Sequence, residues 1–188
     1  MPRVSCKHYR VSYSIENWNI AFEEAGFINA IVAKIQPEDA DWDAADYDYN
    51  VVRWSSEPDG GLLGIGPSVS NPLTGERLSA DVVNKLLAVK IGYNYRKLYG
   101  YTEDNDPLMQ YITNLTLHEV GHVLGLRHNF RGSYLYSPKE IHNKEITGNT
   151  LMNSVMDYDP ITVAPEGTEQ GIFFSTDPGV YDKWAIKF

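Results

Sequence analysis

The sequence has a single cysteine, Cys6, among 188 residues. One thiol cannot form a disulfide within the chain, and it excludes metal sites built from several cysteines. Long apolar runs are also missing, and none approaches the roughly 20 residues that a membrane-spanning helix needs. We therefore expect no membrane insertion. The N-terminus also lacks the apolar stretch of a signal peptide.

Basic residues are the minority, with 16 lysines and arginines against 25 aspartates and glutamates, and the formal net charge is -9. A protein that binds nucleic acid needs a positive face for the phosphates, so we expect no nucleic-acid partner. The hydrophobic fraction of 43% is sufficient for a core, and the length suits one domain over residues 1–188.

The first third of the chain contains several short periodic patterns. Alternation of apolar and polar residues predicts a strand over residues 9–13. Apolar residues at helical spacing predict a helix over residues 15–25, which ends at Gly26. Residues 28–35 are typical of a buried strand, and residues 51–54 predict another strand.

The middle of the chain predicts a hairpin followed by a helix. Residues 60–69 are glycine-rich and extended, and residues 71–75 form a strong turn signal. Residues 77–83 could return as the partner strand. Apolar residues at helical spacing then predict a helix over residues 83–98.

The last part of the chain contains one strong helix signal and a long irregular stretch. Asp106 followed by Pro107 is typical of an N-cap and first turn, and predicts a helix that runs to about residue 124. Residues 129–176 are mostly irregular. Asp177 and Pro178 predict the start of a short last helix.

The predicted helix over residues 106–124 contains a possible metal motif. His118 and His122 are four positions apart and therefore lie on the same face of a helix, one turn apart. Two imidazoles so placed can bind one tetrahedral Zn²⁺. Glu119 lies beside them and is the candidate base for a water molecule.

The motif continues through Gly125 to His128. Gly125 can adopt a left-handed conformation, which would end the helix and bring His128 back to the metal as a third ligand. Three protein ligands leave a position for water, which is typical of a catalytic zinc site. Thermolysin-like proteases instead take a glutamate from a later helix as third ligand, and Gly125 and His128 argue against that alternative.

The pattern from His118 to His128 is the signature of the metzincin metalloproteases. These enzymes also have a methionine turn beneath the zinc, for which Met156 is the candidate. The spacing of Ser154, Met156 and Tyr158 resembles that of the astacin and serralysin branches. The resemblance implies that Met156 packs below the site. It also implies that Tyr158 lies near the zinc, as a swinging ligand or a hydrogen-bond donor to the transition state.

The chain resembles a bacterial Met-zincin domain family more closely. That family includes the catalytic subunit of an Ecx-type toxin and large secreted zinc-dependent proteases. The resemblance runs from about Trp18 to the C-terminus and rests on residues 18–27, 39–43, 66–68, 80–82, 128–130 and 181–186. Family members have a strand and a longer first helix before this point and continue beyond residue 188, so we expect a chain shortened at both ends.

The resemblance implies an α+β, metzincin-like fold. We expect a twisted mixed sheet with long helices above an active-site cleft, in an upper lobe of about residues 1–128. A small, mostly irregular lower lobe with a C-terminal helix would comprise about residues 129–188. The resemblance also implies a secreted or periplasmic location.

The predicted function is zinc-dependent endopeptidase activity. One catalytic Zn²⁺ would be held by His118, His122 and His128, with Glu119 as the base and Tyr158 as the donor to the oxyanion. We expect a monomer that acts on a protein or peptide substrate.

The substrate would lie extended along an edge strand at residues 64–69. The alternative is a zinc-binding but inactive relative, a pseudoenzyme that serves as a binding module. The toxin resemblance suggests one form of it, a chain that docks on a separate carrier.

A calcium site is the less favoured interpretation of the acidic stretch at residues 39–50. Its aspartates alternate as in a calcium loop, but Ala44 stands where glycine is required and Asn50 where a bidentate glutamate should be. A solvated acidic loop is favoured.

Overall fold

A computed structural model describes residues 6–56 and 63–188, with side chains from residue 10 onward. It confirms the predicted α+β class. The elements in chain order are α1 (Cys6–Glu16), α2 (Asn19–Glu24), β1 (Asn50–Ser55), β2 (Gly64–Ile65), β3 (Ser68–Ser70), β4 (Arg77–Lys85), α3 (Leu86–Tyr99), α4 (Pro107–Val123), α5 (Lys144–Thr147) and α6 (Val180–Lys187). A short 3₁₀ helix spans Gly132–Tyr134. Among the described residues, no helix is long and apolar enough to cross a membrane.

The small mixed sheet is built around β4. β1 runs parallel to β4, and β2 and β3 run antiparallel along its other side. Alternate residues of β4 are buried, and among them Asn84 donates a hydrogen bond to the Thr116 hydroxyl on α4 at 3.1 Å. This bond ties the sheet to the helix that carries the metal motif.

The predicted hairpin is confirmed where the structure describes it. β3 pairs with β4 in the antiparallel direction, and β4 forms at the position that the sequence predicts. β1 also forms at its predicted position. In the turn before β4, the Asn71 side chain accepts a hydrogen bond from the Leu73 amide at 2.9 Å, and Gly75 has a φ of 77°. The predicted extended stretch begins at residues 60–62, which lie outside the described residues, and continues in β2 and β3.

The helix α4 forms the centre of the core. α1 and α3 pack against it, and it also contacts β4. Ile112, Thr113 and Leu117 have no exposed surface. A helix buried on most of its circumference is fixed by packing rather than by helix propensity alone. The imidazoles that project from its C-terminal half therefore start from a rigid support.

The strand predicted over residues 9–13 is wrong, because this stretch belongs to α1. Val11, Ile15 and Trp18 lie at helical spacing, and Trp18 is completely buried. Burying this face against α4 stabilises a helix, whereas the alternation of residues 9–13 has no partner strand among the described residues.

The buried strand predicted over residues 28–35 is also wrong. The segment has no assigned strand, and Ile28, Val32 and Ile35 are 81%, 60% and 55% exposed. A cavity of about 790 Å³ is lined both by this segment and by β1. Within the described chain β1 pairs only with β4, so β1 does not serve as a strand partner for residues 28–35. Its backbone is held instead by the Asn19 side chain, which bonds both the amide and the carbonyl of Ile31.

Three helix boundaries differ from the prediction. The single helix over residues 15–25 is two helices, α1 and α2, although Gly26 does follow the second with a φ of 93°. The helix predicted from residue 83 begins at Leu86, since β4 continues to Lys85. The last helix begins at Val180. The Asp177 side chain does not cap that helix, because it accepts hydrogen bonds from Asn17 and Asn149.

Candidate metal centre

The helix α4 has a well-defined start and presents two imidazoles near its end. The Asp106 side chain caps it by accepting a hydrogen bond from the Leu108 amide at 3.0 Å, and it also pairs with Arg96. Pro107 occupies the first turn, as predicted. His118 and His122 follow on one face, with ring centroids 4.9 Å apart.

The chain reverses immediately after α4. Gly125 has a φ of 98°, the left-handed conformation that favours glycine, and its amide bonds the His122 carbonyl at 3.0 Å. The turn brings His128 back beside His122, with ring centroids 4.7 Å apart. A Cβ at Gly125 would also approach the Arg77 guanidinium to 2.6 Å. The backbone conformation therefore requires glycine here, whereas the Arg77 guanidinium is the end of a flexible side chain that can move.

The three imidazoles form a cluster whose dimensions fit one zinc ion. One ring nitrogen from each of His118, His122 and His128 lies within 4.8 Å of the others, and the Nε2 atoms of His122 and His128 are 3.1 Å apart. Two nitrogens on a tetrahedral zinc at about 2.0–2.1 Å would be about 3.3 Å apart. Among the side chains of residues 10–56 and 63–188, no other group of three or more His, Cys, Asp or Glu meets this criterion. The acidic stretch at residues 39–50 therefore contains no such group.

Two backbone carbonyls fix the orientation of the helical imidazoles. The Nδ1 atom of His118 lies 2.7 Å from the Val155 carbonyl oxygen, and that of His122 lies 3.0 Å from the Leu126 carbonyl oxygen. A carbonyl only accepts, so each Nδ1 donates, and each neutral ring keeps its lone pair on Nε2. This is the arrangement by which ligating histidines are held for a metal.

Two of the imidazoles, those of His118 and His128, lie in an environment that disfavours their protonation. Burial lowers the pKa of His118 to about 4; the neighbouring His122 and His128 also lower it, whereas the hydrogen bond to Val155 opposes the shift. Burial and His122 lower the pKa of His128 as well. Since imidazole binds a metal in its neutral form, this environment favours ligation at neutral pH.

Glu119 is a buried carboxylic acid beside the three imidazoles. It is 6% exposed, and burial raises its pKa to about 7. The strand β2 passes directly over it, because a Cβ at Gly64 would lie 2.7 Å from its Oε1 atom. A Cβ at Gly66 would collide with its carbonyl oxygen. The two glycines of this stretch thus let the strand approach the site closely.

Met156 packs against α4 at Gly121, which lies between the two helical histidines in the sequence. Its side chain has no exposed surface and packs in one cluster with Trp18 and Leu117. A Cβ at Gly121, between the two helical histidines, would collide with the Met156 sulfur and lie 3.0 Å from the Trp18 ring. The glycine within the motif therefore permits the close contact between α4 and the methionine turn.

A buried carboxylate from the last helix supports the methionine turn. Asp182 has no exposed surface and accepts hydrogen bonds from the Ser154 hydroxyl at 2.6 Å and from the amides of Val155 and Gly179 at 2.8 Å each. Burial raises the pKa of its carboxyl, and these bonds oppose that shift. Because the Val155 carbonyl holds His118, Asp182 is connected to the metal cluster through one residue.

Tyr158 lies beside the histidines on the solvent side. It is 65% exposed, its ring stacks on His118 with centroids 5.7 Å apart, and it lies 4.7 Å from the His128 ring. Phe130 contacts both Tyr158 and His128. The exposure leaves the phenol ring free to change its position.

The cluster opens into a cleft of about 730 Å³. One wall is the stretch Gly64–Pro67, and the opposite wall is formed by α4 and by the residues that follow the methionine turn. In the described chain, β2 and β3 pair with β4 only, so their outer edges have no strand neighbour there. The edge predicted for substrate pairing thus borders the cleft.

Several residues around the site escaped the sequence prediction. Asp182 and Trp18 are far from the motif in the chain, and no local pattern shows that they contact the methionine turn. Gly64, Gly66 and Gly121 do have a signal, since a glycine inside a strand or helix often marks a close approach of another element.

A family model described as Met-zincin matches residues 101–188, just under half of the chain, and this stretch contains the three histidines, Glu119 and the methionine turn. The match agrees with the resemblance found in the sequence. No curated protein and no solved structure is significantly similar to the chain.

Proposed function

We propose that this chain, whose residues 101–188 match the Met-zincin model, is a zinc-dependent endopeptidase. The observation that carries the proposal is the cluster of His118, His122 and His128 with the buried carboxyl of Glu119 beside it, at the base of an open cleft. A structural zinc site is closed by four protein ligands, whereas this cluster offers three and faces a cleft.

Zinc bound by the three imidazoles would supply a Lewis acid, which polarises a carbonyl group and makes water more acidic. The protein's own acid–base work falls to Glu119. Its carboxylate takes a proton from the attacking water and returns it to the leaving amine, so one group serves both halves of the reaction. Gly64 keeps β2 against this carboxyl and limits the water around it.

Tyr158 and the edge of β2 and β3 position the peptide. The Tyr158 hydroxyl donates a hydrogen bond to the oxyanion that develops on the attacked carbonyl. The substrate lies extended along residues 64–69 and pairs its backbone with the strand edge. In keeping with the resemblance, we place this activity outside the cytoplasm.

The decisive variant is Glu119→Gln, which preserves shape and removes the base. We expect it to bind zinc as the wild type does and to cleave unfolded casein about 10²–10⁴-fold more slowly. Glu103→Gln, an exposed carboxylate outside the cleft, is the matched control and should retain full activity. A chelator should abolish cleavage by the wild type, and added zinc should restore it.

Two outcomes would contradict the proposal. Activity retained in Glu119→Gln would exclude Glu119 as the base. Zinc binding by the wild type without any cleavage would favour the alternative, an inactive relative that uses the fold as a binding module.

A further inference from the structure

The cleft continues beyond the histidines along α4. Asn114 and Tyr111 line it one and two turns before His118. With a rise of 1.5 Å per residue, Asn114 lies about 6 Å from His118 along the helix axis. A long substrate side chain next to the scissile bond could therefore reach this part of the cleft.

The described lining of the cleft is acidic. It includes Glu119, Asp157 and Asp159 and contains no lysine or arginine. Glu119 belongs to the reaction centre. Both oxygens of Asp157 are occupied, one by the Tyr158 amide at 2.8 Å and the other by the Ser133 amide at 3.1 Å.

Asp159 is different because only one of its oxygens is paired. Its Oδ2 atom accepts from the Ser175 amide at 3.0 Å and from the Asn114 amide group at 3.3 Å. Its Oδ1 atom is buried and has no hydrogen-bond partner among the described residues. Asn114 also donates to the Ser175 carbonyl at 3.1 Å, so the carboxyl is held in place.

A buried carboxylate oxygen without a partner is costly and is stabilised by a donor, most strongly by a cation. Burial raises the pKa of Asp159 to about 6. The approach of a positive charge would favour the ionised carboxylate and oppose this shift.

We infer that Asp159 is a specificity determinant, which selects substrates with a lysine side chain next to the scissile bond. Only the buried Oδ1 atom lacks a hydrogen-bond partner among the described residues, so the site suits the single ammonium contact of lysine better than the bidentate contact of arginine. This inference rests on the proposed endopeptidase function and adds the class of substrate.

The test uses peptides that are identical except at the positions flanking the scissile bond, which carry lysine, norleucine or glutamate. Norleucine has a similar aliphatic chain without the ammonium group. We expect kcat/KM of the zinc-loaded wild type to be about tenfold or more higher for lysine than for norleucine, and lowest for glutamate. Asp159→Asn should bring the ratio of lysine to norleucine close to one. Glu166→Gln removes an equal charge from an exposed position outside the cleft and should leave the ratio unchanged.

A binding measurement separates this inference from the proposed function. The Glu119→Gln protein should bind the lysine peptide about tenfold more tightly than the norleucine peptide, and Asp159→Asn in the same background should remove the difference. Equal kcat/KM and equal affinity for the two peptides would overturn the inference. The absence of cleavage of every peptide and of casein would overturn the endopeptidase, whereas a lysine preference in binding would still support the role of Asp159.

Discussion

Two regions of the protein differ sharply in how their side chains are used. From Asp106 to the end of α6, buried polar groups bond one another across long sequence distances, and the candidate metal centre lies among them. Between Gly26 and Tyr49, large apolar side chains such as Ile28 face solvent, and the segment has neither helix nor strand. A site that holds three imidazoles in place needs the first kind of surroundings.

Stability and function depend on the same contacts in only one of these two regions. In the region of the site, the same contacts fix the backbone and orient the ligands, as Asp182 does through the methionine turn. In the segment at residues 26–49, the side chains carry little of the core. Equivalent substitutions in the two regions should therefore have unequal effects on the free energy of unfolding.

A large difference in the free energy of unfolding is expected for a pair of aspartates. Asp182→Ala leaves a hydroxyl and two amides without their acceptor, so we expect it to lower the free energy of unfolding by about 3 kcal/mol or more. Asp41→Ala, in the exposed acidic stretch, should change it by less than about 0.5 kcal/mol. Urea unfolding of both variants measures the difference, and similar small losses would mean that the Asp182 network contributes little.

Two glycines provide a comparison of intermediate size. Gly121→Ala introduces a methyl group against Met156 and Trp18. We expect it to lower the free energy of unfolding by about 2 kcal/mol and to weaken zinc binding. At Gly26 an added Cβ would face open space, so only the positive φ is unfavourable for alanine. We expect Gly26→Ala to lower the free energy of unfolding by about 1 kcal/mol and to leave zinc affinity unchanged. Thermal unfolding and zinc titration test both. Full zinc affinity in Gly121→Ala would separate the methionine turn from the metal centre.

The smallest effect is expected in the exposed apolar residues. Ile28→Ala should change the free energy of unfolding by less than about 0.5 kcal/mol, because its side chain is 81% exposed. Ile112→Ala, at a completely buried position on α4, is the matched control and should cost about 2–5 kcal/mol. A loss above about 2 kcal/mol in Ile28→Ala would show that residues 28–35 are packed, as the sequence pattern predicted.

The predictions succeeded where the structure depends on residues that are close together in the chain. The start of α4 could be predicted because Asp106 and Pro107 act on the turn that they occupy. The gathering of the three histidines depends on one helix and one glycine turn, and both are local properties of the chain. The roles of Glu119 and Tyr158 stay predictions, since they concern chemistry rather than position.

The errors arose where the outcome depended on distant partners. Residues 28–35 have the composition of a strand, but a strand forms only with a neighbour, and no local pattern reveals whether one is present. In α1, the alternation over residues 9–13 predicts a strand, whereas the apolar spacing up to Trp18 predicts a helix. The helix forms because it allows Trp18 to be buried against α4. Asp182 was missed for the same reason, because its partners lie in another part of the chain.

Zinc content measured by elemental analysis tests the central claim most directly. We expect about one zinc ion per chain in the wild type and in His142→Ala, whose histidine lies outside the cluster, and almost none in His122→Ala. Folded wild-type protein that takes up no zinc, or His122→Ala protein that binds as much zinc as the wild type, would contradict the account.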